Sequence, residues 1–313
     1  MYHPICPVCS SSKTVKFCVP RWRCNACSRT FRNRRKERKR RAAIEGYVHD
    51  RTSYVRLARR WGVNKSTAYR RVQSALKSRI NLLARTKRLI DECDRVLIVD
   101  GKQVRIRGVV HTLFVAWDRG LGKPIHYLLK EGGEKDLWYW KLLIDLRHIG
   151  YEPKAFISDG VLSFRELVSE MYPDLPHQRC AVHVFLAARG KVGRSKRRAE
   201  RVSDFIEILR YILWARSLSE AQQMFKRLWA VKGLSRRERF VLRFLYPTLP
   251  QCFKCTDSKW KHLKLPRSSN AIENVMGQIE ARFKTRRGAK SLKATDALVN
   301  EILLRVKRQI INQ

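Results

Sequence analysis

Two Cys-x-x-Cys pairs near the start of this chain constrain its fold more than any other feature. The four cysteines follow the pattern C-x2-C-x14-C-x2-C and are Cys6, Cys9, Cys24 and Cys27. Thiolates presented by two tight turns can close a tetrahedron around Zn²⁺. Residues 15–17 and 21–23 read as short strands that bring the two pairs together. We therefore expect a zinc ribbon and a basic linker over residues 1–40, with Zn²⁺ folding a segment too short to have its own core.

The surroundings of the ribbon are strongly basic. Residues 32–41 are nearly all Arg and Lys, a pattern typical of a solvated linker, of the start of a basic helix or, less often, of a DNA-binding arm. The whole chain carries 68 Lys plus Arg against 27 Asp plus Glu, a formal charge of +41 over 313 residues. Such an excess favours a polyanionic partner, and double-stranded DNA is the partner we expect.

Cysteine content and hydropathy limit the compartment. Nine cysteines in a long chain without a signal-peptide pattern indicate metal ligation and burial, not a disulfide framework. No segment approaches the roughly 20 apolar residues that span a bilayer. We expect a cytoplasmic protein, associated with the nucleoid and not with a membrane.

Residues 41–90 have the pattern of a helix-turn-helix domain. Apolar residues fall at helical spacing in two stretches interrupted by Gly62, and Asn64 and Ser66 are placed to cap the second helix. In that motif the second helix enters the major groove. The residues expected to contact DNA are Lys65, Ser66, Thr67, Tyr69, Arg70 and Arg71. The alternative is an ordinary helical hairpin.

Residues 91–185 have the pattern of an α/β core. A buried strand over 95–99 ends on Asp100, a hairpin and a helix follow, and a second buried strand ends on Asp159. This order predicts a mixed sheet with helices packed on it. A single Asp at the end of a strand is most simply explained as the cap of a turn. Two Asp-Gly strand ends favour a site instead, because adjacent strands would project both carboxylates from the same edge of the sheet. Close carboxylates repel unless a cation lies among them, and hard oxygen ligands suit Mg²⁺ or Mn²⁺.

A third acid comes from the last segment, residues 263–313. Ser269 or Asn270 caps a helix and Glu273 falls in its first turn, at the capping-box position counted from Asn270, so a capping role is the alternative to a catalytic one. Glu280 lies on nearly the same face and is the fallback. The basic residues that follow are expected to contact DNA phosphates, and they are Arg282, Lys284, Arg286 and Arg287.

These residues resemble a known family. Asp100, Asp159 and Glu273 resemble the DDE triad of cut-and-paste transposases, whose catalytic domain is ribonuclease-H-like. Residues 178–183 are similar to that family's Cys-x-x-His motif and 269–274 to its Ser/Thr-Asn-x-Ile-Glu motif, as in Mutator-like insertion-sequence transposases.

The resemblance implies a two-metal site in which the three carboxylates hold Mg²⁺ or Mn²⁺. It also implies cleavage and transfer of transposon ends, at least a dimer on DNA, and an all-helical insertion, which we place at residues 186–262. Cys180 and His183 form the Cys-x-x-His motif, where His183 contacts a phosphate or a displaced base, or is a packed core histidine. Cys252 and Cys255 depart from the family pattern, and a second zinc site with Cys180 and His183 is a minor alternative.

Two other functions fit the same residues. A nuclease of the same fold would cut DNA without joining it. A regulator derived from an inactive transposase would use only the zinc ribbon and the helix-turn-helix, and its carboxylates would be structural.

Overall fold

The fold is described here from a computed structural model, which covers residues 6, 8–18, 21–32, 34–77, 80–192, 199–285 and 291–308. The chain divides into two compact units, Met1–Arg79 and Ile80–Gln313. No helix in these ranges combines the length and the apolar character that crossing a membrane requires.

The first unit contains a small antiparallel sheet followed by helices. Its strands are β1 (Thr14–Cys18), β2 (Arg21–Cys24) and β3 (Thr30–Arg32), in the order β1-β2-β3. Its helices are α1 (Arg34–Ile44), which continues as one π-helical turn (Glu45–His49), α2 (Tyr54–Arg60) and α3 (Lys65–Lys77). The sequence predicts the first two strands; β3 is too short and too polar to have a strand pattern of its own.

Helices α2 and α3 meet at a tight turn. Gly62 has φ +60°, a conformation that glycine adopts without steric cost. The Oδ1 of Asn64 accepts the N–H of Thr67 at 2.7 Å, which caps the first turn of α3. Leu57, Ala68 and Val72 are fully buried between the helices of this unit.

The second unit is built on a mixed five-stranded sheet. Its strands are β4 (Val96–Ile106), β5 (Val109–Asp118), β6 (Lys123–Glu131), β7 (Ala155–Ser158) and β8 (His177–Arg179). The order across the sheet is β6-β5-β4-β7-β8. β4, β5 and β6 pair antiparallel, whereas β7 and β8 pair parallel to β4 and β7 respectively. The predicted mixed α/β class is confirmed.

Helices cover the sheet and extend from it. They are α4 (Leu82–Thr86), α5 (Asp136–His148), α6 (Leu162–Met171), α7 (Ala181–Val192), α8 (Ala199–Leu213), α9 (Leu218–Trp229), α10 (Arg236–Leu245), α11 (Leu249–Cys252), α12 (Asn270–Thr285) and α13 (Leu292–Leu304). Short 3₁₀ turns cover Lys87–Glu92, Tyr246–Thr248, Lys254–Thr256 and Ser258–Leu263.

Alternation along β4 separates two faces of the sheet. Leu97 and Val99 belong to a core that also contains residues of α5 and α6. On the opposite face, the Nζ of Lys102 lies 2.6 Å from Glu280 Oε2 of α12. Side chains two residues apart share a face of a strand, so Asp100 faces α12 together with Lys102.

Helices α7 to α11 form a separate apolar core. It includes Val184 and Ala188 of α7, Leu209 of α8, Leu242 of α10 and Cys252 at the end of α11. An all-helical insertion was expected from residue 186. The apolar core already includes Val184, because α7 is one continuous helix that begins directly after β8.

The second unit also begins before the expected domain boundary at residue 90. The N–H of Leu82 donates to Asn300 Oδ1 at 3.0 Å, and the Oγ1 of Thr86 donates to the carbonyl of Ile125 at 2.6 Å. Residues 80–92 therefore pack with α13 and β6. Short helical segments of this kind have no sequence signal that assigns them to one neighbour or the other.

Candidate functional site

Two aspartates lie side by side where the parallel strands β4 and β7 meet. β7 ends just before Asp159 as expected, but β4 does not end at Asp100 and continues to Ile106, since its second half pairs with β5. In the pairing of β4 with β7, Ile98 stands opposite Ile157, and Asp100 and Asp159 each follow two residues later. Asp100 is 8% exposed. Burial, and then the negative charge of Asp159, raise the pKa of Asp100 to about 7. Both carboxylates can be ionised together only if positive charge is close to them.

Glu273 reaches the same place from the first turn of α12. Its Oε1 is buried and lies 3.4 Å from Nε2 of His183, in a geometry that satisfies an ion pair but not a hydrogen bond. Its side chain thus contacts His183. Glu280, the fallback third acid, pairs instead with Lys102 and with Lys284. Two turns of helix, about 10 Å, separate the two glutamates.

His183 supplies positive charge among the carboxylates. A hydrogen bond with Cys180 is the main cause that raises the pKa of His183 to about 9, and the charges of Asp100 and Glu273 add to it against the cost of burial. Burial raises the pKa of Cys180, but its hydrogen bonds with His183 and Ser269 outweigh burial and leave it below the ordinary value. The Nδ1 of His183 lies 3.4 Å from Ser269 Oγ. The Cys-x-x-His motif thus lies against the residue that precedes α12.

The three carboxylates do not form a closed cluster. Within the described part of the chain, one set of three or more Cys, His, Asp or Glu has all its ligand atoms within 4.8 Å of one another, and that set is the N-terminal cysteines. Asp100, Asp159 and Glu273 are adjacent in the fold but further apart than this. Their arrangement is that of an open site with room between the side chains.

A fourth carboxylate, which the sequence did not indicate, lies beside the aspartates. Glu134 precedes α5, accepts a hydrogen bond from Tyr139 Oη at 2.9 Å, and has its pKa raised by burial and by the charge of Asp159. A Cβ on Gly101 would lie 2.9 Å from Glu134 Oε1. The glycine after Asp100 therefore makes room for this side chain. A Glu in a Gly-rich turn has no periodicity that would mark it.

The glycine after Asp159 has an equivalent role. Gly160 has φ +87°, and a Cβ there would lie 2.2 Å from Nε of Arg179. That Nε donates to the backbone carbonyl of Asp159 at 3.2 Å. Both Asp-Gly dipeptides thus place a glycine where a charged side chain crosses the backbone.

A third buried aspartate, at the end of β5, has a structural role. Asp118 is fully buried at the end of β5. It accepts the N–H of Arg95 at 2.9 Å, the N–H of Leu121 at 2.7 Å and the hydroxyl of Tyr151 at 2.8 Å. Both of its oxygens thus accept hydrogen bonds within the fold. Asp100 accepts one from the N–H of Gly101, and Glu273 Oε1 has no hydrogen-bond partner.

The basic residues expected after Glu273 fall into three environments. Arg282 is 2% exposed, which contradicts its expected place on a DNA-facing surface. The helical period places it on the same face of α12 as the buried Val275 and Ile279. Lys284 is exposed and pairs with Glu280 at 2.9 Å. Arg286 and Arg287 lie outside the described residues.

The second pair of cysteines does not complete a metal site. Cys252 is buried in the helical core, and its carbonyl accepts Nε2 of Gln178 at 2.6 Å. The N–H of Cys255 donates to Oε1 of the same Gln178 at 2.9 Å. Among the described residues, the ligand atoms of Cys252 and Cys255 do not cluster with those of Cys180 and His183. The structure shows these two residues fixing their segment to β8.

The four N-terminal cysteines, by contrast, form a compact cluster. The Sγ atoms of Cys6 and Cys27 are 3.7 Å apart and those of Cys9 and Cys24 are 3.5 Å apart. A tetrahedron with Zn–S bonds of about 2.3 Å has edges of about 3.8 Å, so these distances fit Zn²⁺. Ser10 and Ser28, which follow the two Cys-x-x-Cys pairs, both have positive φ of 56° and 58°. The two turns therefore have the same backbone form.

The residues expected to contact DNA from α3 are mostly exposed. They are Lys65, Ser66, Arg70 and Arg71, with Thr67 half-buried. Tyr69 is 43% exposed, but its ring packs edge-on against Tyr54 of α2, with centroids 5.2 Å apart. Tyr69 thus contributes to the packing of α2 on α3 as well as to the exposed face.

The chain can be compared with curated proteins and with solved structures. No curated protein matches it. Two solved structures of the Mos1 transposase are similar: a pre-cleavage Mos1 transpososome at 15% identity over 42% of this chain and 56% of that chain, with a TM-score of 0.20, and the Mos1 strand transfer complex at 14% identity over 70% and 76%, with a TM-score of 0.24. The chain thus spans little more than half of the first of these chains, and scores this low establish no shared mechanism.

The family comparison extends over nearly the entire sequence. The profile described as "Transposase, Mutator family" matches residues 14–309, from the first strand of the small sheet to beyond α13. The resemblance carried by the motifs around Asp100, Asp159 and Glu273 is thereby confirmed at the level of the family, and the chain belongs to the Mutator family of transposases.

Proposed function

We propose that this chain cuts a DNA strand at the ends of an insertion sequence and joins the freed 3′-hydroxyl to target DNA, with Asp100, Asp159 and Glu273 as the catalytic residues of a ribonuclease-H-like core. The observation that carries the proposal is that Asp100 and Asp159 each follow the paired Ile98 and Ile157 by two residues, with Glu273 held near Asp100 by its contact with His183. A packed core gains nothing from three acids gathered this way.

The donor atoms suit a pair of Mg²⁺ or Mn²⁺ ions. Glu273 has a buried oxygen without a hydrogen-bond partner, and the pKa of Asp100 is raised by burial beside Asp159. An unpaired buried oxygen and a raised pKa are both expected of carboxylates that have no cation beside them. Asp100, Asp159 and Glu273 would hold these ions. When bound, the ions would lower the pKa of the attacking water or hydroxyl and neutralise charge on the leaving oxygen.

The protein's own side chains prepare the site. His183 is cationic at neutral pH and lies against Glu273, so it reduces repulsion among the acids. The pair of Lys102 with Glu280 fixes α12 against β4 two turns beyond Glu273. Glu134 holds a further negative charge close to Asp159, which strengthens the attraction of this site for cations.

The first unit supplies DNA recognition in this proposal. The four cysteines would hold a structural Zn²⁺, and α3 would enter the major groove of the transposon end as the second helix of a helix-turn-helix. The formal charge of +41 supports association with DNA. Pairing of two ends requires at least a dimer. We place the protein in the cytoplasm, on the nucleoid.

The experiment that tests the proposal uses DNA that flanks the coding sequence on both sides. Labelled duplexes tiling these flanks are incubated with the full chain in Mg²⁺ or Mn²⁺, and the products are resolved on denaturing gels and sequenced. We expect strand breaks at one position in each flank, followed by joining to a target plasmid. Asp159→Asn should abolish both, a loss of at least about 10³-fold in rate. The matched control Asp204→Asn removes an exposed carboxylate on α8 and should cut as the unmodified chain does.

Three outcomes would change the assignment. Cleavage that survives in Asp159→Asn removes this residue from the catalytic site. Cleavage without joining assigns a nuclease. Sequence-specific binding that is indifferent to Mg²⁺ and never leads to cleavage assigns a DNA-binding regulator.

A further inference from the structure

A cavity of about 450 Å³ opens beside the proposed catalytic site. Its lining begins at Gly160, the residue after Asp159, and continues along α6 and the loop into β8. The opposite wall comes from residues 251–260, where the helical insertion returns to the sheet. The volume lies within the range of about 300–1,000 Å³ that is usual for small-ligand sites.

Positive charge dominates this cavity. Four cationic side chains line it, and they are Arg165, Arg179, Lys254 and Lys259. Within the described residues, none of the four has an ion-pair partner. Two acids also line the cavity. Asp257 accepts the N–H of Lys259 at 3.0 Å to cap a turn, and Asp174 is exposed. The lining therefore carries an excess of positive charge.

The two guanidinium groups converge on one point. Arg165 and Arg179 each donate from an Nη1 to Oε1 of Gln251, at 3.3 and 3.4 Å. Burial and the neighbouring charge of Arg165 lower the pKa of Arg179. Burial, Arg165 and Arg179 together lower the pKa of His177 to about 4, so that this histidine is neutral. Gln251 offers these two like charges only a neutral oxygen, so an anion bound beside them would relieve their repulsion further.

The insertion and the sheet build the cavity together. Gln178, fully buried in β8, bonds to the carbonyl of Cys252 and to the N–H of Cys255. These two bonds fix the segment that carries Gln251, Lys254 and Trp260. The ring of Trp260 is half-exposed at the cavity, with Lys259 Nζ 4.5 Å from its centroid. An aromatic ring among cations is a usual setting for a nucleotide, because the base stacks while the phosphate is paired.

The cavity and the proposed catalytic site share a wall. Arg179 crosses Gly160 and donates to the backbone carbonyl of Asp159. A strand held at Asp159 would thus lie next to this cavity.

We infer that this cavity binds a phosphodiester group of the DNA strand, next to the bond that is cut, with Arg165, Arg179 and Lys254 on the phosphate and the adjacent base against Trp260. The inference rests on the proposed function, because the DNA strand is the substrate assigned there. It gives the helical insertion a role in holding the strand.

The test uses photochemical cross-linking, which does not depend on cleavage. Duplexes tiling the flanking DNA carry 5-iodouracil in place of thymine, and the full chain is irradiated with them in Ca²⁺. Cross-linked peptides are identified by mass spectrometry. We expect a cross-link in the peptide that contains Trp260, and a loss of its yield of roughly tenfold in Arg165→Gln/Lys254→Gln, since two phosphate-binding charges are removed.

The matched control removes the same number of charges elsewhere. Arg210→Gln/Arg236→Gln changes two exposed residues of the insertion and should leave the Trp260 cross-link intact. If Arg165→Gln/Lys254→Gln melts at a lower temperature than the control, Lys254→Gln/Lys259→Gln replaces it, because both lysines are in the 251–260 segment and neither is buried.

The outcomes separate this inference from the proposed function. Cross-links confined to other peptides, or a Trp260 cross-link of equal yield in all variants, overturn the inference even if cleavage depends on Asp159. Equal cross-linking by 5-iododeoxyuridine triphosphate alone assigns the cavity to free nucleotides instead of DNA. A Trp260 cross-link in a chain that never cleaves DNA supports the cavity and contradicts the catalytic proposal.

Discussion

The cysteine cluster and the carboxylate site differ in how far they are assembled. The four Sγ atoms lie within 4.8 Å of one another, whereas Asp100, Asp159 and Glu273 stand apart with His183 against Glu273. A structural zinc site is closed, because the metal replaces a core. A site that admits a phosphate, as we propose for the carboxylates, would have to remain open. The four thiolates form a compact set that fits one metal ion, and the three carboxylates do not.

The largest effect is expected from breaking the closed site. Cys24→Ser removes one of four thiolates from a segment with little apolar core, so the ribbon should lose its zinc and unfold, since structural zinc sites contribute on the order of 10 kcal/mol. Hydrogen exchange should show residues 6–32 exchanging freely, and DNA binding should weaken. Cys93→Ser, in the second unit, is the control and should change neither. If Cys24→Ser keeps its zinc and its protection, the cysteines do not hold the ribbon.

The open site should respond to pH in the opposite way to most surface acids. In the folded chain the pKa of Asp100 is raised to about 7, against about 3.9 when unfolded. The native state therefore holds a proton that the unfolded chain releases, and stability falls as pH rises between these two values. Asp100→Asn has no carboxyl to ionise, so it should not lose stability over this pH range. Without Mg²⁺ and Mn²⁺, its melting temperature relative to the unmodified chain should rise from pH 4 to pH 7 by an amount equivalent to a few kcal/mol at most.

The exposed acid Asp204 gives the control for that measurement. Asp204→Asn should track the unmodified chain at every pH, because its side chain is solvated in both states. Melting curves of Asp100→Asn that run parallel to those of the unmodified chain would mean that Asp100 is ionised without cost. The negative charge of Asp100 would then be compensated more fully than the neighbouring charges of Asp159 and His183 indicate.

The smallest effects are expected from replacing the glycines that follow Asp100 and Asp159, and the two replacements should differ in their cost to stability. Gly160→Ala forces an alanine to φ +87° against Arg179, which should cost on the order of 1–3 kcal/mol and lower the melting temperature. Gly101→Ala meets the carboxylate of Glu134 at 2.9 Å and Tyr139 Oη at 3.1 Å, but needs no positive φ, so it should cost less than Gly160→Ala. Equal costs at the two positions would show that Arg179 moves aside as easily as Glu134 does.

The site could be anticipated only in part. The apolar runs before Asp100 and Asp159 predict two strands, and the structure has both, but β4 continues past Asp100 to Ile106 because the residues after Asp100 pair with β5. Glu134 was missed because it lies in a Gly-rich turn, and Arg282 was misplaced because a run of basic residues gives no sign of which face a helix turns inward. The cavity beside Gly160 draws on segments about 90 residues apart, which no spacing rule connects.

What the sequence determined by itself was local. The cysteine pairs, the turn at Gly62 and the apolar strands before Asp100 and Asp159 each depend on residues within a few positions of one another. Their backbone preferences are set by sterics and short-range hydrogen bonds. The tertiary structure decided the rest: that His183 lies against Glu273, that Arg179 crosses Gly160, and that the end of the insertion returns beside Asp159. Those contacts join segments far apart in the chain, and burial of apolar faces, not local preference, brings them together.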